Sequence, residues 1–144
     1  MAYWLMKSEP DEFSFDDLVA KTERGEAEEW TGVRNYAARN NMKAMQVGDE
    51  AFFYHSNIGK EIVGIMKIVA PAHPDSTAER NAKGEVVWEC VDVQSVRPLP
   101  RPVSLAEIKA TPALAELELV RLSRLSVSKV GAEEWRLICG MGGL

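Results

Sequence analysis

The residues best equipped for chemistry sit at three places in the chain. Lys7-Ser8-Glu9-Pro10 sets a cationic donor, a hydroxyl and an acceptor side by side. They fall at what reads as the end of a strand, where the backbone turns and frees its own N–H and C=O groups. Such groups can read the hydrogen-bonding edge of a nucleobase. Trp30 lies in an irregular stretch just after Glu26, Glu28 and Glu29. An aromatic there either anchors the loop in the core or offers a stacking face, and position alone leaves both readings open. Arg39 and Lys43 form an i, i+4 like-charge pair on the helical face shared with Tyr36. Such a pair costs roughly 0.2–0.5 kcal/mol unless an anion sits between the charges. A phosphate would supply one; a plain solvated face is the equal alternative.

Catalytic and metal readings find less support. His55, His73, Cys90 and Cys139 lack the close paired spacings that bring ligands to one zinc. Ser56 follows His55, but neighbours on a strand point to opposite faces and cannot share a proton directly. There is no Gly-x-Ser-x-Gly elbow, phosphate loop or dinucleotide fingerprint. Lys7 and Glu9 could act as acid and base, yet such a pair more often fixes a ligand or its own partner. The expectation is therefore no catalysis, no cofactor and no metal.

The elements that must position these residues read as one α+β domain over 1–144, within the usual size of a single domain. Tyr3 to Lys7 is a first strand stopped by Pro10, and Ser14 with Asp17 caps an acidic helix to about Arg24. A second helix over Tyr36 to Met45 carries Ala38, Met42 and Met45 as its apolar stripe. Strands over Glu50 to Ser56 and Glu61 to Ala70 are joined by a tight turn at Asn57-Ile58-Gly59-Lys60. Ala72 to Lys83 reads as a polar loop, and Glu85 to Arg97 as a further strand. Pro98, Pro100 and Pro102 then cross to a capping box, Ser104 with Glu107. Leu114 to Leu119 is a short helical piece and Leu125 to Val130 a short strand. Gly131 to Cys139 is a closing helix ended by Gly140. This order predicts a small curled mixed sheet or open barrel with short helices packed outside.

The net charge of -5 argues against coating nucleic acid through bulk positive charge. The distribution is uneven: residues 9–29 hold nine acids against Lys21 and Arg24, while residues 30–60 carry a small positive excess. No apolar run reaches the ~18–20 residues needed to cross a bilayer. The N-terminal stretch lacks a basic segment followed by an apolar one. A cytoplasmic location is the expectation, in a reducing compartment where Cys90 and Cys139 need not pair.

Three separated segments carry a family resemblance. They are Tyr3-Trp4-Leu5-Met6-Lys7-Ser8-Glu9-Pro10, Trp30-Thr31-Gly32-Val33-Arg34-Asn35-Tyr36-Ala37-Ala38-Arg39-Asn40, and Val47-Gly48-Asp49 with Phe53-Tyr54-His55-Ser56-Asn57. In that order, and with Ser123-Arg124-Leu125-Ser126-Val127 and Glu134-Trp135-Arg136-Leu137-Ile138 behind them, the chain resembles the EVE domain family over almost its whole length. The resemblance implies a PUA-like open barrel, related to the YTH domains, with a pocket for a modified base such as methylated or hydroxymethylated cytosine in DNA. It matches Lys7, Ser8 and Glu9 to the pocket lining, Trp30 to a cage wall and Thr31 to the neighbour whose backbone meets the base edge. Ser56 and Asn57 fall on the same rim, and Arg34, Asn35 and Arg124 on backbone or pocket-wall positions. A second aromatic wall could come from Trp4, Tyr54 or Trp88, while Trp135 reads as core. Lys129 and Gly131 depart from the Pro and the Thr or Ser cap expected there.

The reading is thus a monomeric, non-catalytic module that binds nucleic acid carrying a modified base, away from membranes. Arg39 and Lys43 are its candidate phosphate contacts. A reader of modified RNA using the same pocket is the second reading. A small-metabolite or hydrolytic domain using the same cavity is the third.

Overall fold

Alternation in Tyr3–Ser8 (β1) sends Trp4 and Met6 to one side of the strand and Leu5 to the other, and all three are buried. A strand covered on both faces belongs inside a sheet. In the computed structural model, which describes residues 1–144, β1 lies between Glu50–His55 (β3), to which it is parallel, and the antiparallel Val127–Val130 (β6). Glu61–Pro74 (β4) and Glu89–Ser104 (β5) continue the sheet, and the two-residue Glu28–Glu29 (β2) ends it, giving the order β2-β5-β4-β3-β1-β6. The β4–β5 pairing shifts register at four places. Each irregularity raises the local twist and bends the ribbon, so the mixed sheet curls without closing.

Both faces are covered by helices. Phe15–Glu23 (α1) and Tyr36–Ala44 (α2) pack Leu18, Ala38 and Met42 against Trp4, Met6, Phe53 and Met66. On the opposite face lie Leu105–Lys109 (α3), a 3-10 turn over Pro112–Leu114, Glu118–Arg121 (α4) and Ala132–Met141 (α5). They bury Ile108, Leu114, Leu119 and Ile138 against Leu5, Phe52 and Ile62. Trp135 stacks between the rings of Tyr3 (4.4 Å) and Phe52 (3.8 Å), the core position expected for it. The α+β class and the curled mixed sheet are as the sequence implies.

Several boundaries move. β4 runs on to Pro74, into what reads as a polar loop. β5 begins at Glu89 and not at Glu85, leaving Val87 and Trp88 outside it, and it continues through the prolines to Ser104. Ile62 pairs with Val103 and Gly64 with Pro98, so residues 99–102 stand opposite Val63 alone. Pro100 and Pro102 therefore sit in a bulge that asks no ladder bond of them. The piece over Leu114 to Leu119 divides at Leu117, which caps α4. α5 passes through Gly140 to Met141 and is capped by Gly142. At its start Gly131 has no side chain to cap with, and Glu134 accepts from the Gly131 N–H at 2.9 Å instead.

One glycine is required by packing. The far end of the Phe15 ring lies against Gly64, where a Cβ would sit only 2.4 Å from the nearest ring carbon. That contact lets α1 approach the sheet and delivers Phe15 edge-on to Phe53 (5.5 Å, 73°).

Candidate functional site

Because β1 and β3 are parallel, their carboxyl ends open at the same side of the sheet, where chain segments diverge and leave room for a ligand. Ser56 N–H still donates to Ser8 O there (2.9 Å) and Lys7 N–H to Ser126 O (2.9 Å), tying β1, β3 and the approach to β6 together. Beyond Glu9 the chain turns: the N–H groups of Glu12 and Phe13 donate to Glu9 O, and Ser8 Oγ donates to Phe13 O at 2.6 Å. A cavity of about 450 Å³ results. It is lined by Lys7 and Ser8 from β1, Glu9, Glu12 and Phe13 from the turn that follows, Glu28 to Thr31, Ser56 and Ser126.

Two aromatic residues are among its lining, Trp30 and Phe13. Trp30 is 7% exposed and meets Phe53 edge-on at 5.4 Å and 85°. Of the two readings of this residue, the core anchor is what the structure shows, and the buried indole also borders the cavity. Phe13 leans on the same Phe53 ring at 6.3 Å, so one fully buried side chain supports both. The three residues proposed from sequence as a second wall lie elsewhere. Trp4 donates its indole N–H to Asp49 (3.1 Å) in the core, Tyr54 packs in the opposite cluster, and Trp88 stacks on Tyr36 (4.8 Å). Phe13 escaped notice because nothing in a Phe three residues past a proline marks it as a wall.

The charges have specific partners. Lys7 Nζ donates to Ser123 O at 2.8 Å and lies 5.9 Å above the Tyr54 ring; burial lowers its pKa. Glu9 accepts from Asn57 Nδ2 at 2.6 Å, so Lys7 and Glu9 do not pair with each other. Glu28 takes Lys21 (2.7 Å), and Glu29 accepts from Ser76 Oγ (2.8 Å). Four glutamates and one lysine thus border the cavity.

Trp30 and Thr31 are held from behind. Trp30 N–H donates to Val91 O (2.8 Å), and Gly32 N–H to Asp75 Oδ2 (2.9 Å). Asp75 also accepts from Arg34 Nη1 (3.0 Å) and from Thr77 N–H and Oγ1 (2.7 and 2.6 Å). Burial pushes this carboxyl up, but the donors from Thr77, Gly32 and Arg34 outweigh it and hold the pKa down at about 2. Asp75 was hidden in the segment read as a polar loop. The Asp-x-Thr spacing of an Asx turn was its available signal.

The remaining predicted residues gather outside the cavity. Arg34 reaches across the Trp88 ring at 5.8 Å. Asn35 caps α2 by accepting from Ala38 N–H at 2.9 Å, and it borders a second hollow of about 390 Å³ together with Arg124. Arg39 donates to Val87 O (2.9 Å) and covers the Tyr36 ring (4.9 Å); Lys43 meets Glu89 at 3.6 Å. The like-charge pair therefore has its compensation inside the chain, and the premise that it calls for an anion lapses.

The β4–β5 register does bring metal-ligating types together. His73 is the cross-strand partner of Cys90, and Asp92 follows two residues on along the same face. His73 Nε2 and Asp92 Oδ1 are 2.7 Å apart, with Cys90 Sγ 3.7 Å from the same nitrogen. Burial, aided by Asp75, Glu29, Asp92 and Glu89, pushes the Cys90 thiol up to about 12, so the thiol keeps its proton in this hydrogen-bonded set. Sequence spacing hid the trio, since 17 residues separate His73 from Cys90.

Comparison with known proteins returns a consistent picture. The model of the family described as EVE domain matches residues 2–141. Mouse thymocyte nuclear protein 1 is 40% identical, over 96% of this chain and 73% of its own. Across curated relatives the chain spans roughly 66–73% of their length. Protein Atu2648 of Agrobacterium tumefaciens superposes with a TM-score of 0.92 at 52% identity, covering 100% of this chain and 94% of that one. The human THYN1 protein, solved in complex with 5-methylcytosine-containing DNA, superposes with a TM-score of 0.89 at 35% identity, over 100% and 99% of the two chains. No helix is long and apolar enough to cross a membrane.

Proposed function

This chain belongs to the EVE domain family, and from that premise we propose that it binds DNA carrying a modified cytosine, taking the base into the cavity between Trp30 and Phe13. The observation that carries the reading is the composition of that cavity. The Trp30 and Phe13 rings, inclined to each other because they meet Phe53 at 85° and 41°, offer aromatic surface on which a flat ring can pack, and base–aromatic stacking is worth about 1–3 kcal/mol per base. Four glutamates against one lysine make the surroundings rich in acceptors and hostile to anions. A phosphate is excluded on charge, whereas the exocyclic amine of cytosine finds acceptors, as it does with Glu and Asp in groove readout. The relative solved with 5-methylcytosine-containing DNA supports the same ligand class.

Thymine is the informative competitor, because it carries the same ring methyl as 5-methylcytosine but a carbonyl where cytosine has its amine. Single-stranded oligonucleotides with one central cytosine, 5-methylcytosine, 5-hydroxymethylcytosine or thymine, titrated by fluorescence anisotropy, test the proposal directly. A modified cytosine should bind tighter than thymine by about tenfold to a hundredfold, the cost of roughly 1–3 kcal/mol for an unpaired polar group. Trp30→Phe should weaken modified-cytosine binding while leaving the fold intact, and Glu9→Gln should narrow the gap to thymine. Equal affinity for all four oligonucleotides would sink the assignment. A matching RNA series decides which sugar is preferred.

A further inference from the structure

We propose that Ile58, at the apex of the β3–β4 turn, is a wedge that enters the duplex stack in place of the base taken by the cavity. The inference rests on the base-binding reading and adds how a paired base would be reached.

A base inside a duplex is not accessible to an enclosed pocket, and extruding it costs a few kcal/mol of stacking and pairing. Proteins that open base steps commonly offset that cost with an apolar side chain, Ile among them, pushed into the gap. Ile58 has the attributes such a part needs. It is 60% exposed, so its apolar side chain is free to meet a ligand. Its β-branched side chain is stiff at χ1 and loses little freedom on insertion.

The turn that carries it is braced. Asn57 (φ 67°) and Lys60 (φ 51°) are the only non-glycine residues in the chain with positive φ, and Gly59 between them has φ 91°. Left-handed backbone costs an ordinary residue about 1–2 kcal/mol, and such strain persists where surrounding contacts over-determine it. Those contacts are present. Asn57 Nδ2 donates to Glu9 at 2.6 Å, Ser56 N–H to Ser8 O at 2.9 Å, and Leu105 N–H to Lys60 O at 2.9 Å. Two of the three run to Ser8 and Glu9, cavity-lining residues at the carboxyl end of β1, so the apex is fixed relative to the cavity mouth. Lys60, exposed and free of any salt bridge, stands beside the apex where a flanking phosphate would pass.

The test compares one 5-methylcytosine strand alone with the same strand annealed to its complement, for the unmodified protein and for Ile58→Ser. An exposed position of this kind tolerates substitution with little effect on folding, which a melting curve verifies. Ile58→Ser is expected to lower affinity for the duplex by about tenfold or more, since the unstacking is no longer offset. Affinity for the single strand should change less than about twofold. A 2-aminopurine placed next to the modified cytosine should brighten when the unmodified protein opens the duplex, and stay dim with Ile58→Ser. An unchanged duplex affinity, or equal losses on both ligands, overturns the wedge. Absence of single-strand binding by the unmodified protein overturns the cavity assignment itself, a separate outcome because the single strand presents no stack to open.

Discussion

Asp75→Asn should weaken the fold and the cavity together. The substitution keeps the shape of the side chain but replaces one acceptor oxygen by a donor. In the native structure both oxygens are used, Oδ2 by Gly32 N–H and Arg34, Oδ1 by both donors of Thr77. Whichever way the amide turns, its NH2 meets one of these donor pairs. A hydrogen bond to a charged group is worth about 1.5–3 kcal/mol. The Arg34 side chain is 38% exposed and re-solvates, and the Thr77 hydroxyl can rotate, so the net loss is about 2–4 kcal/mol and not the full sum. The ionisation of the carboxyl leads to a similar figure. A pKa of about 2 against the ordinary 3.8 favours the charged form by about 2–3 kcal/mol in the native state.

The sign gives the assay. A carboxyl depressed on folding contributes stability that is fully present above its unfolded pKa and is lost as pH falls through 3.8 toward 2. Urea unfolding of both proteins should therefore show a gap of about 2–4 kcal/mol near pH 7 that shrinks steadily below about pH 5. Because Gly32 N–H hangs from the same carboxylate, affinity for a 5-methylcytosine strand should fall in Asp75→Asn even where the protein remains folded. A gap that persists undiminished at pH 3 would refute the charge argument. Intact base affinity would show that Trp30 and Thr31 are held by other means.

Three further outcomes follow. Gly64→Ala drives a Cβ into the Phe15 ring at 2.4 Å, so a loss of about 1–3 kcal/mol is expected by urea titration, and Phe15→Leu in the same background should recover part of it. The hydrogen bond to Asp92 outweighs burial and raises the His73 pKa, with Asp92 charge, Pro74 O and Glu29 adding to it. Its stabilising contribution is therefore full below the unfolded pKa of 6.5 and fades as pH rises through the folded value. His73→Gln should flatten that part of the stability–pH curve, and an unchanged curve would show the bond to be idle. DNA affinity should fall with salt at a log–log slope of about -2 to -4, corresponding to two to four phosphates; Lys60→Ala should flatten it by about one unit, Lys43→Ala should leave it unchanged because Glu89 already answers that charge, and a slope near -8 would reveal a basic groove absent from this surface.

What the sequence disclosed and what it withheld divide along physical lines. Element types were legible wherever a local rule operates: the capping boxes at Ser14 and Ser104, the alternation in β1, the turn at Asn57-Ile58-Gly59-Lys60. The sequence reading ends β5 at Arg97 because Pro98, Pro100 and Pro102 ordinarily end a strand, and only the long-range register with β4 shows Pro98 opposite Gly64 and the bulge that accommodates Pro100 and Pro102. Lys7, Ser8, Glu9, Trp30, Thr31 and Ser56 do border one cavity, since the motif at the end of β1 signals its own turn. Phe13 and Asp75 were not found, nor was the His73-Cys90-Asp92 trio. Each acquires its surroundings from a partner far along the chain, and no local pattern encodes a cross-strand neighbour. Arg39 and Lys43 illustrate the converse: the i, i+4 spacing is real, but Val87 O and Glu89, distant in sequence, already answer the two charges.

The acidity of the protein, which by itself counts against nucleic acid, changes meaning once the charges are placed. Nonspecific affinity for DNA comes from lysine and arginine neutralising phosphates, and a chain of net charge -5 has little of it to offer. A reader of rare bases is served by that deficit. Bulk DNA outnumbers modified sites by orders of magnitude, so discrimination depends on the ratio of specific to nonspecific binding and not on affinity alone. Removing the phosphate contribution lowers the background, while contacts inside the cavity act only on a base that enters it. The glutamates at the cavity and the scattered cations outside it then serve one end. Under the proposed function the acids would tune which base is accepted, and the few cations free of salt bridges, Lys60 and Arg124 among them, would orient a strand without retaining it.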